Sequence, residues 1–275
     1  MPSSPPKIGL ALSGGAVRGL AHVGVLRALT ENNIPIDCIA GTSAGSIVGG
    51  AYAAGMSIDQ LTEFGRELRW RHIGRMTVSR LGVQTNARLE SYLRSRLPIT
   101  RFEDLRIPFA AVATDIKTNS AVVLKDEGDV PFAIRASCTI PGWYVPVIDD
   151  QGRYLVDGGL VAVVPVVVTR SLGADIVIAV DVNTEGPPFF GSTNWVVGIL
   201  VQSLVMVAKS ASSYQLQMSD LVISPKLGHI RYHKMGRADE VIAAGYEAAL
   251  ASIPKIRELI DSARTKEAQR EEMLA

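Results

Sequence analysis

The chain has 275 residues, 47% of them hydrophobic and 20% charged, with 28 basic side chains against 27 acidic ones and a formal charge of +1. That composition belongs to a packed globular protein and excludes the disordered and fibrous classes. The near-neutral balance gives no global drive toward nucleic acid, so no nucleic-acid partner is expected.

In chain order, residues 1–6 are expected as a flexible leader without the apolar segment of a secretory signal, and residues 7–275 as a single domain. Lys7 to Ser13 is a short apolar run that stops at Gly14-Gly15, which predicts a buried strand. Apolar residues then recur with a helical period from Arg18 to Thr30. A second apolar run, Ile36 to Gly41, precedes a small-residue helix over Ala44 to Ala54. This order predicts an α/β fold, a mainly parallel sheet covered by helices.

Residues 57–105 are rich in arginine and helical in pattern, with no obvious strand, and are expected as a helical cap. Strands resume at Ile107 to Ile116 and Ala121 to Leu124. A hairpin at Asp150-Gln151-Gly152 joins Val145–Ile148 to Tyr154–Val156, and another strand covers Ala174 to Val182. A long helix from Thr193 to Gln217, a last strand from Leu221 to Ser224, and C-terminal helices over 238–275 complete the reading. Pro254 falls near the start of the second of these helices.

The longest apolar run, Trp195 to Ala208, has 14 residues, too few to span a bilayer. A soluble, cytoplasmic chain is therefore expected. The run is expected to be buried in the core or in a homodimer; an acyl-chain wall or a lipid-facing surface is the other reading. Cys38 and Cys138 lack CxxC spacing, which excludes a disulfide scaffold and predicts buried thiols.

Gly41-Thr42-Ser43-Ala44-Gly45 is a G-x-S-x-G pentapeptide between a predicted strand and a predicted helix, the place of a nucleophile elbow. Gly41 and Gly45 permit the sharp turn, and the helix N-terminus behind Ser43 favours developing negative charge. A second turn, Ser13-Gly14-Gly15-Ala16-Val17-Arg18-Gly19, follows the first strand and can cradle an anion with its N–H groups. A dinucleotide site would need the full G-x-G-x-x-G spacing and an acid at the end of the second strand. Asp37 lies at the start of that strand. The loop is therefore assigned to an oxyanion hole formed by Gly14, Gly15 and Ala16 with the N–H of Ala44.

The base for Ser43 is sought among four histidines, His22, His72, His229 and His233, none with a telling motif and none with paired metal-ligand spacing, so no metal is expected. The late pair best suits a Ser–acid–His order. Asp157-Gly158-Gly159, after an apolar strand, is the stronger candidate.

Together these motifs resemble the patatin-like phospholipase family in its short bacterial branch. The resemblance rests on SGGAVRGLAHVGVL (residues 13–26), GTSAGSIVGGAYAAG (41–55) and DGG (157–159), with support from ATDIKT (113–118), ASCTIPGWYVPV (136–147) and AGYEAAL (244–250). It implies a three-layer α/β/α fold with a Ser–Asp dyad: Ser43 as nucleophile, Asp157 as base, Gly14, Gly15 and Ala16 as oxyanion hole, and Arg18 as support for that loop. It further implies hydrolysis of lipid acyl esters without calcium or another cofactor. Ala16 stands where the family usually has a third glycine; it offers its N–H if its φ is negative. The stretch after Gly159 lacks the family's frequent asparagine, so support for Asp157 must come from elsewhere.

Two other functions fit the same motifs, an acyltransferase that uses the same acyl-serine and a binding or regulatory protein without turnover. The charge is also unevenly spread. Between Arg66 and Arg106 there are 10 arginines and 4 acids, a local balance of +6. From Arg66 to Gly82 the arginines alternate with Trp70, Ile73, Met76 and Leu81, a pattern that suits peripheral contact with an anionic membrane surface; a solvated face with snorkelling arginines is the other reading.

Overall fold

Apolar residues on both pleat faces of one strand require cover on both sides of a sheet. The runs IGLAL and IVIAV meet this condition, and the computed structural model, which describes residues 5–184 and 196–274, shows how. Its strands are β1 (Ile8–Leu12), β2 (Cys38–Thr42), β3 (Arg75–Met76), β4 (Gly82–Thr85), β5 (Phe109–Asp115), β6 (Ser120–Lys125), β7 (Gly142–Tyr144), β8 (Val147–Ile148), β9 (Tyr154–Asp157), β10 (Ile176–Val180) and β11 (Leu221–Ile223). Its helices are α1 (Ala21–Glu31), α2 (Ala44–Ala53), α3 (Ile58–Glu67), α4 (Trp70–Ile73), α5 (Ala87–Arg96), α6 (Val130–Ser137), α7 (Val166–Ser171), α8 (Val196–Gln217) and α9 (Ala238–Leu274).

The main sheet has the order β11-β10-β1-β2-β5-β9-β8, with β6 also paired to β5. From β11 to β5 the pairing is parallel; β6, β8 and β9 pair antiparallel. One face buries Ile8, Leu10, Leu12, Ile176 and Ile178 against helices that include α1, α2 and α9. The other buries Ala11, Val177 and Ala179 with Val166 of α7, and Ala208 and Leu216 of α8 pack against that cluster. The expected three layers are thus present, and the mainly parallel sheet is the middle one.

The chain runs from β1 to β2 on one side and reaches β10 on the other side of β1. The crevice between the ends of β1 and β10 is therefore a topological switch point, where open α/β sheets bind ligands.

Three features depart from the sequence pattern. Segment 57–105 is mainly helical but also contains β3 and β4, which form a three-stranded sheet with β7 in the order β3-β4-β7. These strands are only two to four residues long, too short for an alternating pattern to register. The C-terminal helices are a single helix, α9, that runs through Pro254. Pro254 provides no N–H for the carbonyl of Leu250, but Leu250 is exposed, so water can serve that carbonyl. In α8, Val196, Ile199, Leu200, Met206 and Val207 are exposed, contrary to the expectation of core burial. The positions Thr193 to Trp195, expected to begin this helix, lie outside the described residues. Among the described residues, no helix is long and apolar enough to cross a membrane.

Candidate active site

Because β1 and β2 are neighbours running in the same direction, the loops at their C-terminal ends lie side by side. Ser43 follows β2 directly, at φ 51° and ψ −121°, a sparsely populated conformation for a residue with a side chain. The turn is tight because α2 begins hard against the strands. A Cβ on Gly45 would lie 2.2 Å from the carbonyl oxygen of Leu12, and one on Gly41 would lie 2.6 Å from the backbone of Gly45. The N–H of Ser43 donates to Ser137 Oγ at 2.9 Å, and that hydroxyl donates to the carbonyl of Val112 at 2.6 Å. The N–H of Ala44 has no protein partner among the described residues.

The glycine-rich loop after β1 is held from behind through its carbonyls. His22 Nε2 bonds the carbonyl of Ser13 at 2.9 Å, Asn183 Nδ2 donates to that of Gly14 at 2.6 Å, and the N–H of Arg18 donates to that of Gly15 at 3.1 Å. In a trans peptide the C=O and the following N–H point in opposite directions. The N–H groups of Gly15 and Ala16 therefore face away from these bonds, and neither has a protein partner among the described residues.

Gly14 differs, and corrects the expected donor set. Its N–H donates to the carbonyl of Val163 at 3.0 Å and is not available to a substrate. Ala16 adopts φ 47°, the left-handed region, where a negative φ was expected. A glycine there would carry no Cβ strain, whereas an alanine costs on the order of 1 kcal/mol. Its N–H nonetheless stays free. Arg18 is fully buried; its guanidinium donates twice to the carbonyl of Ile230, at 2.9 and 2.6 Å, and stacks over Tyr232.

Asp157 reaches the elbow through sheet register. Thr42 pairs with Val112, and Asp157 pairs with Ala113, the next residue of β5. Because β6 pairs along the other edge of β5, β2 and β9 meet end to end on one edge, which sets Ser43 beside Asp157. Ser43 and Asp157 line the same cavity, and Oδ1 of the carboxyl group accepts from the N–H of Gly159 at 2.8 Å. Burial pushes the Asp157 pKa up to about 6, against the opposing pull of the Gly159 N–H and the nearby Ser43 hydroxyl. Gly158 is required by close approach: a Cβ there would lie 2.1 Å from the carbonyl oxygen of Val112.

The backbone after Gly159 finds its support on α8. Gln215 Oε1 accepts from the N–H of Val164 at 3.0 Å, while its Nε2 donates to the carbonyl of Val161 at 2.9 Å. Thr42 Oγ1 donates to the carbonyl of Ala162 at 2.7 Å. One short stretch thus ties the elbow, the glycine-rich loop and the Asp157 turn together without an asparagine.

Two cavities meet at Ser43. The first, of about 120 Å³, occupies the switch-point crevice and is lined by residues that include Asp157, Leu160, Val163, Asn183 and Lys209. The second, of about 80 Å³, runs under segment 57–105 between apolar side chains such as Val48, Leu61, Phe64 and Leu89. Among the described residues no histidine lines either cavity. His22 is fully buried and burial drops its pKa to about 4, so it is a neutral ring that braces Ser13. His229 instead pairs with Glu240 at 2.8 Å on the surface. Cys38 and Cys138 are free and buried, and Cys138 lines the second cavity beside Ser43.

The sequence reading did not single out Ser137, Asn183 and Gln215. Ser137 lies within the stretch ASCTIPG that carried part of the resemblance, so a signal for it existed. Asn183 and Gln215 act through hydrogen bonds across the fold and belong to no local pattern.

The model of the family described as patatin-like phospholipase matches residues 10–169, more than half of the chain. An uncharacterized NTE family protein of Mycobacterium tuberculosis is 38% identical over 184 residues, which is 66% of this chain and 50% of that protein. The lysophospholipase NTE1 of Mycosarcoma maydis is 39% identical over 197 residues, 68% of this chain and 10% of that protein. The chain thus spans half or less of the length of these relatives. Among solved structures, VipD from Legionella pneumophila is similar with a TM-score of 0.57 over 94% of this chain and 68% of that one. At 14% identity that likeness bears on the fold alone.

Proposed function

The chain belongs to the patatin-like phospholipase family, and on that premise we propose that it is a serine hydrolase that cleaves acyl ester bonds of lipids through an acyl-Ser43 intermediate, with Asp157 as the base. The observation that carries this reading is a strained serine at a helix N-terminus that shares a cavity with a buried carboxylate from the adjoining strand, where two cavities meet.

In this scheme Ser43 Oγ attacks the ester carbonyl while its proton passes to Asp157. The carbonyl oxygen becomes an oxyanion that accepts from the N–H groups of Gly15, Ala16 and Ala44. The tetrahedral adduct collapses, the ester C–O bond breaks, and Asp157 returns the proton to the leaving alcohol. A water then repeats the sequence on the acyl-enzyme and releases the fatty acid. A carboxylate with a pKa near 4 is a poor base for an alcohol, and burial that raises Asp157 to about 6 narrows that mismatch. The second cavity, walled by Leu61, Phe64 and Leu89, suits the acyl chain, and the first, with Asn183 and Lys209 on its wall, suits the leaving group.

A fluorophosphonate probe tests the reading directly. Mass spectrometry is expected to find the phosphonyl adduct on Ser43. An unlabelled Ser43 in folded protein would count against an activated nucleophile and for a binding role.

Asn183 has a defined part in this scheme as a positioning residue. Its bond to the carbonyl of Gly14 turns the N–H of the same peptide, that of Gly15, toward the oxyanion, and Asp181 Oδ1 in turn holds the Asn183 amide at 3.2 Å. Losing one oxyanion donor costs on the order of 100-fold in kcat. Asn183→Ala is expected to lower kcat toward that limit with KM little changed. Asn183→Asp, which sets an acceptor against the carbonyl, is expected to be worse. Steady-state kinetics on a soluble p-nitrophenyl ester check both.

A further inference from the structure

Segment 57–105 carries a sorted set of arginines. Arg66 pairs with Glu63 and Asp239, Arg94 with Glu90 and Asp129, Arg96 with Glu67, and Arg101 with Glu103. Arg69, Arg71, Arg75, Arg80 and Arg88 are all exposed, and among the described residues no carboxylate forms an ion pair with any of them. These unneutralised arginines gather around α4 and the β3–β4 hairpin. His72 lies in this basic surrounding: its pKa is below the ordinary value, first through desolvation and then through the charges of Arg71 and Arg69, with the paired Arg96 adding to them.

The hairpin has an unusual composition for a solvent-facing tip. Arg75 and Met76 pair with Thr85 and Gln84, and residues 77–81 make the turn. Val78 is wholly exposed, Met76 is 67% exposed and Leu81 54%, with Arg75 and Arg80 alternating between them. Three large apolar side chains within six residues leave most of their surface to water, so burial within the chain accounts for little of their presence. The hairpin is rooted beside the site. β4 pairs with β7 through Gln84 and Tyr144, and Tyr144, Trp70 and Ile73 line the second cavity.

We infer that the β3–β4 hairpin is a docking element for an anionic lipid bilayer surface, with Met76, Val78 and Leu81 entering the acyl region and Arg75, Arg80 and their neighbours pairing with anionic headgroups. Apolar residues at a tip flanked by arginines match the layered chemistry of a headgroup boundary, whereas a purely aqueous anion would engage the arginines and leave the apolar tip in water. The placement supplies a route as well. A lipid lifted at the hairpin enters the cavity wall that the same small sheet helps build. This inference rests on the lipid-hydrolase reading of Ser43 for its purpose, but its test does not.

The test is co-sedimentation of the full chain with vesicles of equal phosphatidylglycerol and phosphatidylcholine, and with phosphatidylcholine alone. The wild-type chain is expected to bind the anionic vesicles, more weakly as salt rises, and to bind the neutral ones poorly. Val78→Asp, and separately Arg75→Gln with Arg80→Gln, are each expected to weaken anionic-vesicle binding by on the order of ten-fold. Turnover of soluble p-nitrophenyl butyrate is expected to be unchanged, which shows that the variants fold. Wild-type levels of vesicle binding by both variants, or no binding by the wild type, would overturn the inference. Absent turnover of the soluble ester by the wild type, with vesicle binding that follows the variants, would instead count against the hydrolase reading and leave the docking element standing.

Discussion

Replacing Ser43 with alanine is expected to abolish ester hydrolysis, with kcat lower by on the order of 10,000-fold to a million-fold, since removing the nucleophile of a coupled pair removes the covalent route altogether. The measurement is turnover of p-nitrophenyl butyrate by folded variant and wild type. Full activity in the alanine variant would refute the mechanism. The backbone adds a second readout. Ser43 is held at φ 51°, where alanine is strained as serine is and glycine is not. Ser43→Gly is therefore expected to be equally inactive but more stable than Ser43→Ala by about 1 kcal/mol in denaturant unfolding. That pattern would mark the elbow as a place where fold stability has been given up for the presentation of one oxygen.

Asp157→Asn is expected to lose nearly all activity, because an amide cannot take the proton from Ser43. In the wild type only the carboxylate form is a base, so kcat/KM should rise with pH through about 6 and level off above it. The stability prediction has the opposite sign. The folded pKa of Asp157 lies above its ordinary value of 3.8, so the folded state binds the proton more tightly than the unfolded one. Stability contributed by this group is present below pH 3.8 and is lost as pH rises through about 6. At pH 7 the buried charge costs about 3 kcal/mol, taking 1.36 kcal/mol for each pKa unit. Asp157→Asn removes that charge and retains an oxygen to accept from the N–H of Gly159. The variant should then be more stable than wild type at pH 7 by up to about 3 kcal/mol, with the difference fading toward pH 4. Denaturant unfolding at the two pH values checks this; equal stability at pH 7 would mean that the carboxylate is better solvated than its burial implies.

The strands and helices that build the site were largely legible in the sequence. Apolar runs ending in glycine announced β1 and β2, and the small-residue helix α2 followed because only small side chains tolerate its closeness to the sheet. What escaped the pattern has a common physical form. β3, β4 and β7 are too short for periodicity to register, and α9 continues through Pro254, where the missing N–H leaves the carbonyl of an exposed residue, Leu250, that water can serve. Gly14, expected as an oxyanion donor, spends its N–H on Val163, a residue nearly 150 positions away in the chain. Asn183, just after β10, bonds Gly14 across 169 positions, and Gln215 of α8 bonds Val161 across 54. No local spacing encodes such bonds.

The charge count shows the same division. The sequence alone located an excess of +6 between Arg66 and Arg106. Only the fold separated arginines neutralised by Glu63, Glu67, Glu90, Glu103, Asp129 and Asp239 from those left unpaired around the hairpin. Asp239 lies far along the chain, so that sorting is a property of packing.

By itself the sequence determined the layer architecture and singled out Ser43, the glycine-rich loop and Asp157 as candidates, because each depends on residue types within a few positions of one another. The tertiary structure decided that Asp157 meets Ser43 along one edge of β5, that its burial pushes its pKa to about 6, which N–H groups have no protein partner among the described residues, and where the two cavities meet. These are consequences of strand register and exclusion of water, and they exist only once distant segments share one sheet.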